Sequence, residues 1–149
     1  MKICMVASAG GHLSELLCIK DCCRGCDVIW VSTIKEVMEN LKKLGSVYNI
    51  GECNRNHPIK TFMVLIRCIK IAYSERPDIV ICSGAAPGLL LCLSSKILGA
   101  KLVWLDSIAN VKRLSLSGRL VRPFCDLFLT QWPDLAEQYK NVEFEGTVI

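Results

Sequence analysis

The feature that most constrains this chain is an alternation of short runs that are apolar at every position with segments of helical periodicity. "ICMVA", "VIWV", "IVIC", "LVWL" and "LFL" show no switching between polar and apolar residues. A strand that is apolar throughout has both of its faces covered, which is the signature of a parallel sheet under crossover helices. The strands expected are Ile3–Ala7, Val28–Val31, Val47–Asn49, Ile79–Cys82, Leu102–Leu105, Leu127–Leu129 and Val142–Phe144. The helices expected are Leu13–Cys22, Lys35–Leu44, Ile59–Ser74, Pro87–Leu98, Ser115–Val121 and Leu135–Tyr139. The fold class is therefore α/β: a Rossmann-like parallel sheet with helices on both faces, expected as one domain over residues 1–149. Right-handed crossovers give the strand order 3-2-1-4-5-6, which makes the first and fourth strands neighbours.

Composition narrows the function classes. The net charge of +4 is too weak to argue for a nucleic-acid partner. Met1-Lys2 leads straight into a strand, so no export leader is expected. Apolar runs are broken at Arg67, Lys70, Ser83 or Ser94, short of the ~18 residues a spanning helix needs. Ten cysteines, many inside apolar runs, read as small buried hydrophobes in a reducing, cytosolic setting. The cluster "CIKDCCRGC", Cys18 to Cys26, matches no zinc spacing, and Cys22 and Cys23 are expected to point different ways. No metal and no cofactor are expected.

The chemistry-bearing residues gather where the first and fourth strands end. "SAGGHL" follows the first strand and "SGAAPG", Ser83 to Gly88, follows the fourth. Each opens a helix, so two helix N-termini face one crevice, with free N–H groups and dipoles that favour a phosphate or diphosphate. The first turn is neither a dinucleotide fingerprint nor a P-loop, which counts against a free-standing nucleotide-binding domain. The alternative is a plain turn in which glycine only permits the backbone angles. His12, at a helix start beside such a site, is a candidate general base; its alternative role is to cap the turn. His57, in "NRNHPIK", is expected to face solvent.

Two further stretches carry charge. In "IKTFMVLIRCIKIAYS", Lys60, Arg67, Lys70 and Ser74 form one polar stripe on an otherwise apolar helix. That surplus apolar surface, edged by cations, suits an anionic membrane face, and equally a helix buried by neighbours or a partner subunit. "NVKRLSLSGRLVRP" places Lys112, Arg113, Arg119 and Arg122 together, either as a solvated face or as positive charge near the crevice. Asp106, Ser107 and Asn110 leave the fifth strand and are expected at the crevice rim; Asp106 is either a catalytic carboxylate or a cap.

Over nearly its whole length the chain resembles one family. "SAGGHL", "RPDIVICSGAAPG", "LVWLDSIANVKRLSLSGRLVRPFCDLFLTQWPDL" and the closing "FEGTVI" carry the likeness, and "DSIANVKRLSLSG…D…QWP" is its most specific part. The family is the acceptor-side subunit of split glycosyltransferases. Its eukaryotic member anchors the N-acetylglucosaminyltransferase that adds the second sugar to dolichol-linked oligosaccharide. Its bacterial members act in capsule and exopolysaccharide assembly. The glycine turns are also similar to the amino-terminal half of the enzyme that makes lipid II.

The resemblance implies half of a GT-B architecture. This half takes a polyprenyl-diphosphate-linked saccharide, and a separate donor-binding subunit supplies the UDP-sugar; the chain alone would be close to inactive. His12 would be the general base. Gly10, Gly11, Ser83, Gly84 and Gly88 would hold the diphosphate. Phe62, Met63, Ile66, Arg67 and Lys70 would dock on the inner face of the cell membrane. Eukaryotic members carry an amino-terminal membrane helix and this sequence starts at a strand, so a bacterial type is expected, cytoplasmic, with membrane contact either peripheral or through partners. The rival is a non-catalytic scaffold that recruits and activates a partner glycosyltransferase, with His12 only structural.

Overall fold

In the computed structural model, which describes residues 1–53 and 56–148, seven parallel strands form one sheet. The strands are β1 (Lys2–Ala7), β2 (Asp27–Ser32), β3 (Ser46–Asn49), β4 (Ile79–Cys82), β5 (Lys101–Leu105), β6 (Leu127–Thr130) and β7 (Glu143–Phe144). Their order is β3-β2-β1-β4-β5-β6-β7, the expected doubly wound order with β7 added beside β6. The α-helices are α1 (Gly11–Ile19), α2 (Met38–Leu41), α3 (Pro58–Glu75), α4 (Ala86–Ile97), α5 (Leu116–Val121) and α6 (Pro133–Gln138).

Because successive strand residues point to opposite faces, the strands build two cores. On one face Cys4, Val6, Val80, Cys82 and Trp104 pack under Val64 and Cys68 of α3, Leu91 of α4, Val121 of α5 and Leu135 of α6. On the other, Ile3, Met5, Trp30 and Ile81 pack under Leu13 and Leu16 of α1 and Leu41 of α2. Five of the cysteines fill apolar space as the sequence suggested: Cys4, Cys23, Cys68, Cys82 and Cys92 are buried.

Two expectations need correction. Residues Lys35–Leu44 do not form one helix: a 3-10 turn, Lys35–Val37, precedes the single turn of α2. Leu41 is the only side chain of α2 that is buried, and one anchor does not sustain a longer amphipathic helix. The chain then returns sharply through Gly45 (φ 154°), where any Cβ would stand 2.3 Å from the Val28 carbonyl oxygen. The second concerns Cys22 and Cys23. They end a 3-10 turn, Lys20–Cys23, and their sulfurs do not diverge but lie 3.5 Å apart, one exposed and one buried. Burial pushes the Cys23 thiol up to about 12.

The buried polar side chains are unevenly placed. Ser32, Thr33, Ser83, Asp106, Thr130 and Gln131 are all buried at the carboxyl ends of strands, and Glu15 lies beneath them. Polar groups removed from water need partners, and at this edge of the sheet those partners define the candidate site.

Candidate active site

β1 pairs with β4, so the turns that follow them are adjacent. Gly10 caps α1 with φ 80° and ψ −140°, and Ala85 caps α4 with φ 69° and ψ 160°; neither cap accepts a side-chain hydrogen bond from its helix. The first-turn N–H groups of α1 and α4 therefore remain for another acceptor. The two turns touch directly. Ser83 Oγ donates to the His12 carbonyl at 2.7 Å, and the His12 ring lies over Gly84. A Cβ on Gly84, whose φ is 139°, would stand 2.5 Å from His12 Cε1. Only glycine satisfies both the backbone angle and the ring.

His12 is held from behind by a residue that the motif reading did not single out. Glu15, one helical turn along α1, is 4 % exposed, and its Oε2 lies 3.6 Å from His12 Nδ1. Its Oε1 accepts three hydrogen bonds of 3.0 Å, from Ser107 Oγ, the Ile108 N–H and Gln131 Nε2. The Glu15 carboxylate raises the His12 pKa above its ordinary value, against the opposing effect of burial. Burial alone would raise Glu15, but His12 and the three donors outweigh it and hold its carboxyl below the usual range. The ring turns Nδ1 toward Glu15 Oε2, at 3.6 Å, which leaves Nε2 on its other side.

Gln131 ties this pair to the rest of the edge. Its Nε2 also donates to the Asp106 carbonyl at 3.2 Å, while its Oε1 accepts from the Val148 N–H at 2.9 Å. The i,i+3 spacing of His12 and Glu15 on one helix was the available sequence signal for Glu15. Gln131, at a strand end, offered none beyond its place in "QWP".

The remaining candidates separate. Asp106 is not at the rim and is not placed as a catalytic carboxylate. It is 1 % exposed; Oδ1 accepts from Trp104 Nε1 and Ser115 Oγ, and Oδ2 from the Ser115 N–H. Ser115 Oγ in turn caps α5 by accepting from the Gly118 N–H. Ser107 is half-buried and spends its hydroxyl on Glu15. Asn110 is half-buried in the turn closed by its N–H to the Ser107 carbonyl. Gly88 packs against β4: a Cβ there would stand 2.4 Å from Cys82 Sγ. Gly10 and Gly11 face open space. Arg122 turns from the crevice, donating to the Lys140 carbonyl and stacking over Tyr139.

On α3, Val64, Cys68, Ile71 and Ala72 are buried, and Phe62, Met63 and Ile66 are exposed as expected. Lys60 and Lys70 are exposed beside them, as is His57 at the helix cap. Arg67 is partly committed elsewhere, because its Nη1 donates to the Ile50 carbonyl at 3.0 Å. Among the described residues no helix is long and apolar enough to cross a membrane.

The sequence profile described as "Oligosaccharide biosynthesis protein Alg14 like" matches residues 31–148, a span that begins after the His12 turn. The chain is similar to a protein of Yarrowia lipolytica named UDP-N-acetylglucosamine transferase subunit ALG14, 32% identical over 119 residues that cover 76% of this chain and 54% of that one. The protein of the same name in Schizosaccharomyces pombe is 40% identical over 99 residues, 61% of this chain and 47% of that one. The chain thus spans about half the length of the curated relatives it matches. Among solved structures, MurG of Acinetobacter baumannii superposes with a TM-score of 0.81 at 18% identity, over 99% of this chain and 46% of that one. A UDP-GlcNAc 2-epimerase of Methanocaldococcus jannaschii gives 0.73 at 17% identity, over 99% and 47%. These two likenesses establish the fold, the Rossmann-like half of a GT-B architecture.

Proposed function

This chain belongs to the Alg14-like family of oligosaccharide biosynthesis proteins, and from that premise we propose that it is the acceptor-binding, membrane-docking subunit of a two-chain glycosyltransferase. Its named relatives are subunits of a UDP-N-acetylglucosamine transferase, which supports UDP-N-acetylglucosamine as donor and a separate partner that binds it. The acceptor class is a polyprenyl-diphosphate-linked saccharide, the chemistry that capsule, exopolysaccharide and dolichol-type assembly have in common. The diphosphate lies against the uncapped N-termini of α1 and α4, between the Gly10–Gly11 and Ser83–Gly84 turns. The exposed ridge Phe62, Met63 and Ile66, flanked by Lys60 and Lys70, rests on the cytoplasmic face of an anionic membrane.

The observation that carries this reading is the His12–Glu15 pair beside those two turns. His12 Nε2 takes the proton of the acceptor hydroxyl as that oxygen attacks the anomeric carbon. The new C–O bond forms as the bond from that carbon to the diphosphate breaks, and UDP leaves with the electron pair. Attack from the face opposite UDP inverts the anomeric centre to a β-linkage. Glu15 holds the ring and stabilises the imidazolium. Neither this half nor its partner completes the site alone, so the isolated chain is expected to be close to inactive.

The test is reconstitution: the chain, a donor-binding partner, UDP-N-acetylglucosamine and a polyprenyl-diphosphate saccharide in membranes. Transfer is expected only with both chains, and His12→Ala is expected to lower it ~100-fold or more with partner and membrane binding intact. Transfer unchanged in His12→Ala gives the site to the partner and makes this chain a scaffold. Absence of any complex and of membrane binding sinks the assignment.

A further inference from the structure

A cavity of ≈ 630 Å³ opens at the carboxyl edge of the sheet, between the end of β2 and the first half of α3. Lys60, Met63, Val64 and Arg67 line its α3 side, at three- and four-residue spacings that put them on one stripe of the helix. Facing them are Lys35 and Glu36 of the 3-10 turn after β2, and Glu52 from the segment after β3. The charges are therefore sorted. The helix wall is cationic, and both carboxylates stand across from it, offset in part by Lys35. Among the described residues none of these five charged side chains forms a salt bridge.

Two details mark a built site. Thr33 continues the face of β2 that carries Ile29 and Val31 under α3, and it lines the cavity. It is 7% exposed, and its buried Oγ1 has no hydrogen-bond partner among the described residues. A buried hydroxyl left unpaired costs stability, and a ligand atom is a ready partner for it. Arg67, in turn, is fixed rather than free to sweep through solvent. Its Nη1 donates to the Ile50 carbonyl at 3.0 Å and crosses Gly51, where any Cβ would stand 2.9 Å from it. That one bond leaves most of the guanidinium donors for an oxyanion.

The lining selects among ligand types. A polyanion meets Glu36 and Glu52, a bare cation meets Lys60 and Arg67, and an apolar guest leaves Thr33 unpaired. A zwitterion with an oxyanion at one end and an ammonium at the other satisfies both walls. Met63 shows where such a group comes from. It lines the cavity and also belongs to the exposed ridge of Phe62, Met63 and Ile66, so the cavity opens at the margin of that ridge.

We propose that this cavity binds the phosphoethanolamine headgroup of a membrane lipid. The phosphodiester lies against Thr33, Lys60 and Arg67, and the ammonium against Glu36 and Glu52. The assignment rests on the membrane docking proposed above and adds to it which lipid is selected. A quaternary choline has no N–H to give the carboxylates, so the primary ammonium is preferred.

The experiment has two arms, both on the whole chain. Sedimentation with vesicles compares phosphatidylcholine alone with phosphatidylcholine containing phosphatidylethanolamine or phosphatidylglycerol. Amide NMR titration with glycerophosphoethanolamine and glycerophosphocholine removes the membrane. Phosphatidylethanolamine is expected to tighten vesicle binding about tenfold over phosphatidylcholine, the effect of one charge-assisted hydrogen bond. Glycerophosphoethanolamine is expected to shift the amides of residues 33–36. Glu36→Gln combined with Glu52→Gln, both at exposed positions, is expected to abolish the tenfold gain and leave phosphatidylcholine binding unchanged. Thr33→Val removes only an unpaired hydroxyl, so it is expected to melt no lower than the parent and to weaken both soluble headgroups alike. Equal binding to all three vesicles, with no shifts at residues 33–36, overturns the cavity assignment while the membrane docking stands. A gain with phosphatidylglycerol alone, unmoved by the double variant, reports the charge of the ridge and also overturns it. Glycerophosphoethanolamine that binds a chain with no affinity for vesicles makes the ligand a free phosphoamine and overturns the lipid assignment together with the docking. Binding in neither arm overturns both.

Discussion

Glu15 approaches His12 Nδ1 with one carboxylate oxygen, at 3.6 Å, while three donors from the β5 and β6 ends hold the other. A carboxylate fixed in this way cannot swing to meet the ring, so the ring's orientation is set by the sheet edge rather than by α1 alone. The pair thereby links the titration of His12 and Glu15 to the stability of this edge.

The pH dependence follows from the opposite shifts. His12 is raised from the ordinary 6.5, so its contribution to stability is complete below that value and is lost as pH rises through the higher folded value. Glu15 is lowered from 4.5, so its contribution is present above that value and is lost as pH falls through the lower folded one. The destabilisation caused by Glu15→Gln is therefore expected to be largest between pH 4.5 and 6.5 and to shrink above the folded pKa of His12. Urea unfolding at about pH 5.5 and about pH 8 measures it. In the reconstituted enzyme, the rising limb of kcat/KM is expected above the ordinary imidazole pKa, and Glu15→Gln moves it down. An unmoved limb assigns the base elsewhere.

Gly84→Ala places a methyl group 2.5 Å from His12 Cε1 at a φ of 139°. It is expected to cost about 1–3 kcal/mol of stability and to displace the imidazole. The double variant with His12→Ala recovers the part due to the ring, which a double-mutant cycle on thermal unfolding reads directly. Strict additivity would mean that the ring does not rest on this turn.

Asp106→Ala removes the acceptor of Trp104 Nε1 and of the Ser115 N–H inside the protein. It is expected to destabilise the chain by about 3 kcal/mol through buried donors left unpaired. Transfer by the folded fraction should persist. A variant of normal melting temperature that has lost transfer would instead put Asp106 in contact with substrate.

Gln131→Leu takes one donor from Glu15 and the acceptor from the Val148 N–H. Limited proteolysis is expected to cut the 145–148 segment faster, with stability reduced by about 1–3 kcal/mol. An unchanged cleavage rate would mean the segment is held by its other contacts, such as the Thr147 hydroxyl on the Gln131 carbonyl.

Much of this was legible in order along the chain. Strands apolar at every position left only a covered parallel sheet, and the handedness of crossovers then put β1 beside β4. That adjacency makes the "SAGGH" and "SGAAPG" turns neighbours. The helix over Lys35–Leu44 was misread because exposed charged residues and one buried leucine imitate helical periodicity without the packing that sustains it.

The site divides differently. His12, Ser83 and Gly84 carry recognisable turn chemistry, and the structure brings the three into contact. Asp106 leaves a strand as a catalytic carboxylate would, and only its enclosure by Trp104 and Ser115 makes it the buried acceptor behind the α5 cap. Gln131 lies 116 residues from Glu15 and 17 from Val148, and no local pattern announces that one amide joins both.

The sequence by itself determined the sheet, its order and the pair of turns, because periodicity and glycine conformation act over a few residues at a time. Tertiary structure alone decided which polar groups at the sheet edge are spent on one another and which are left to face a ligand. Hydrogen bonds of that kind depend on side chains distant in the chain meeting within about 3 Å, a distance that only the packed fold sets.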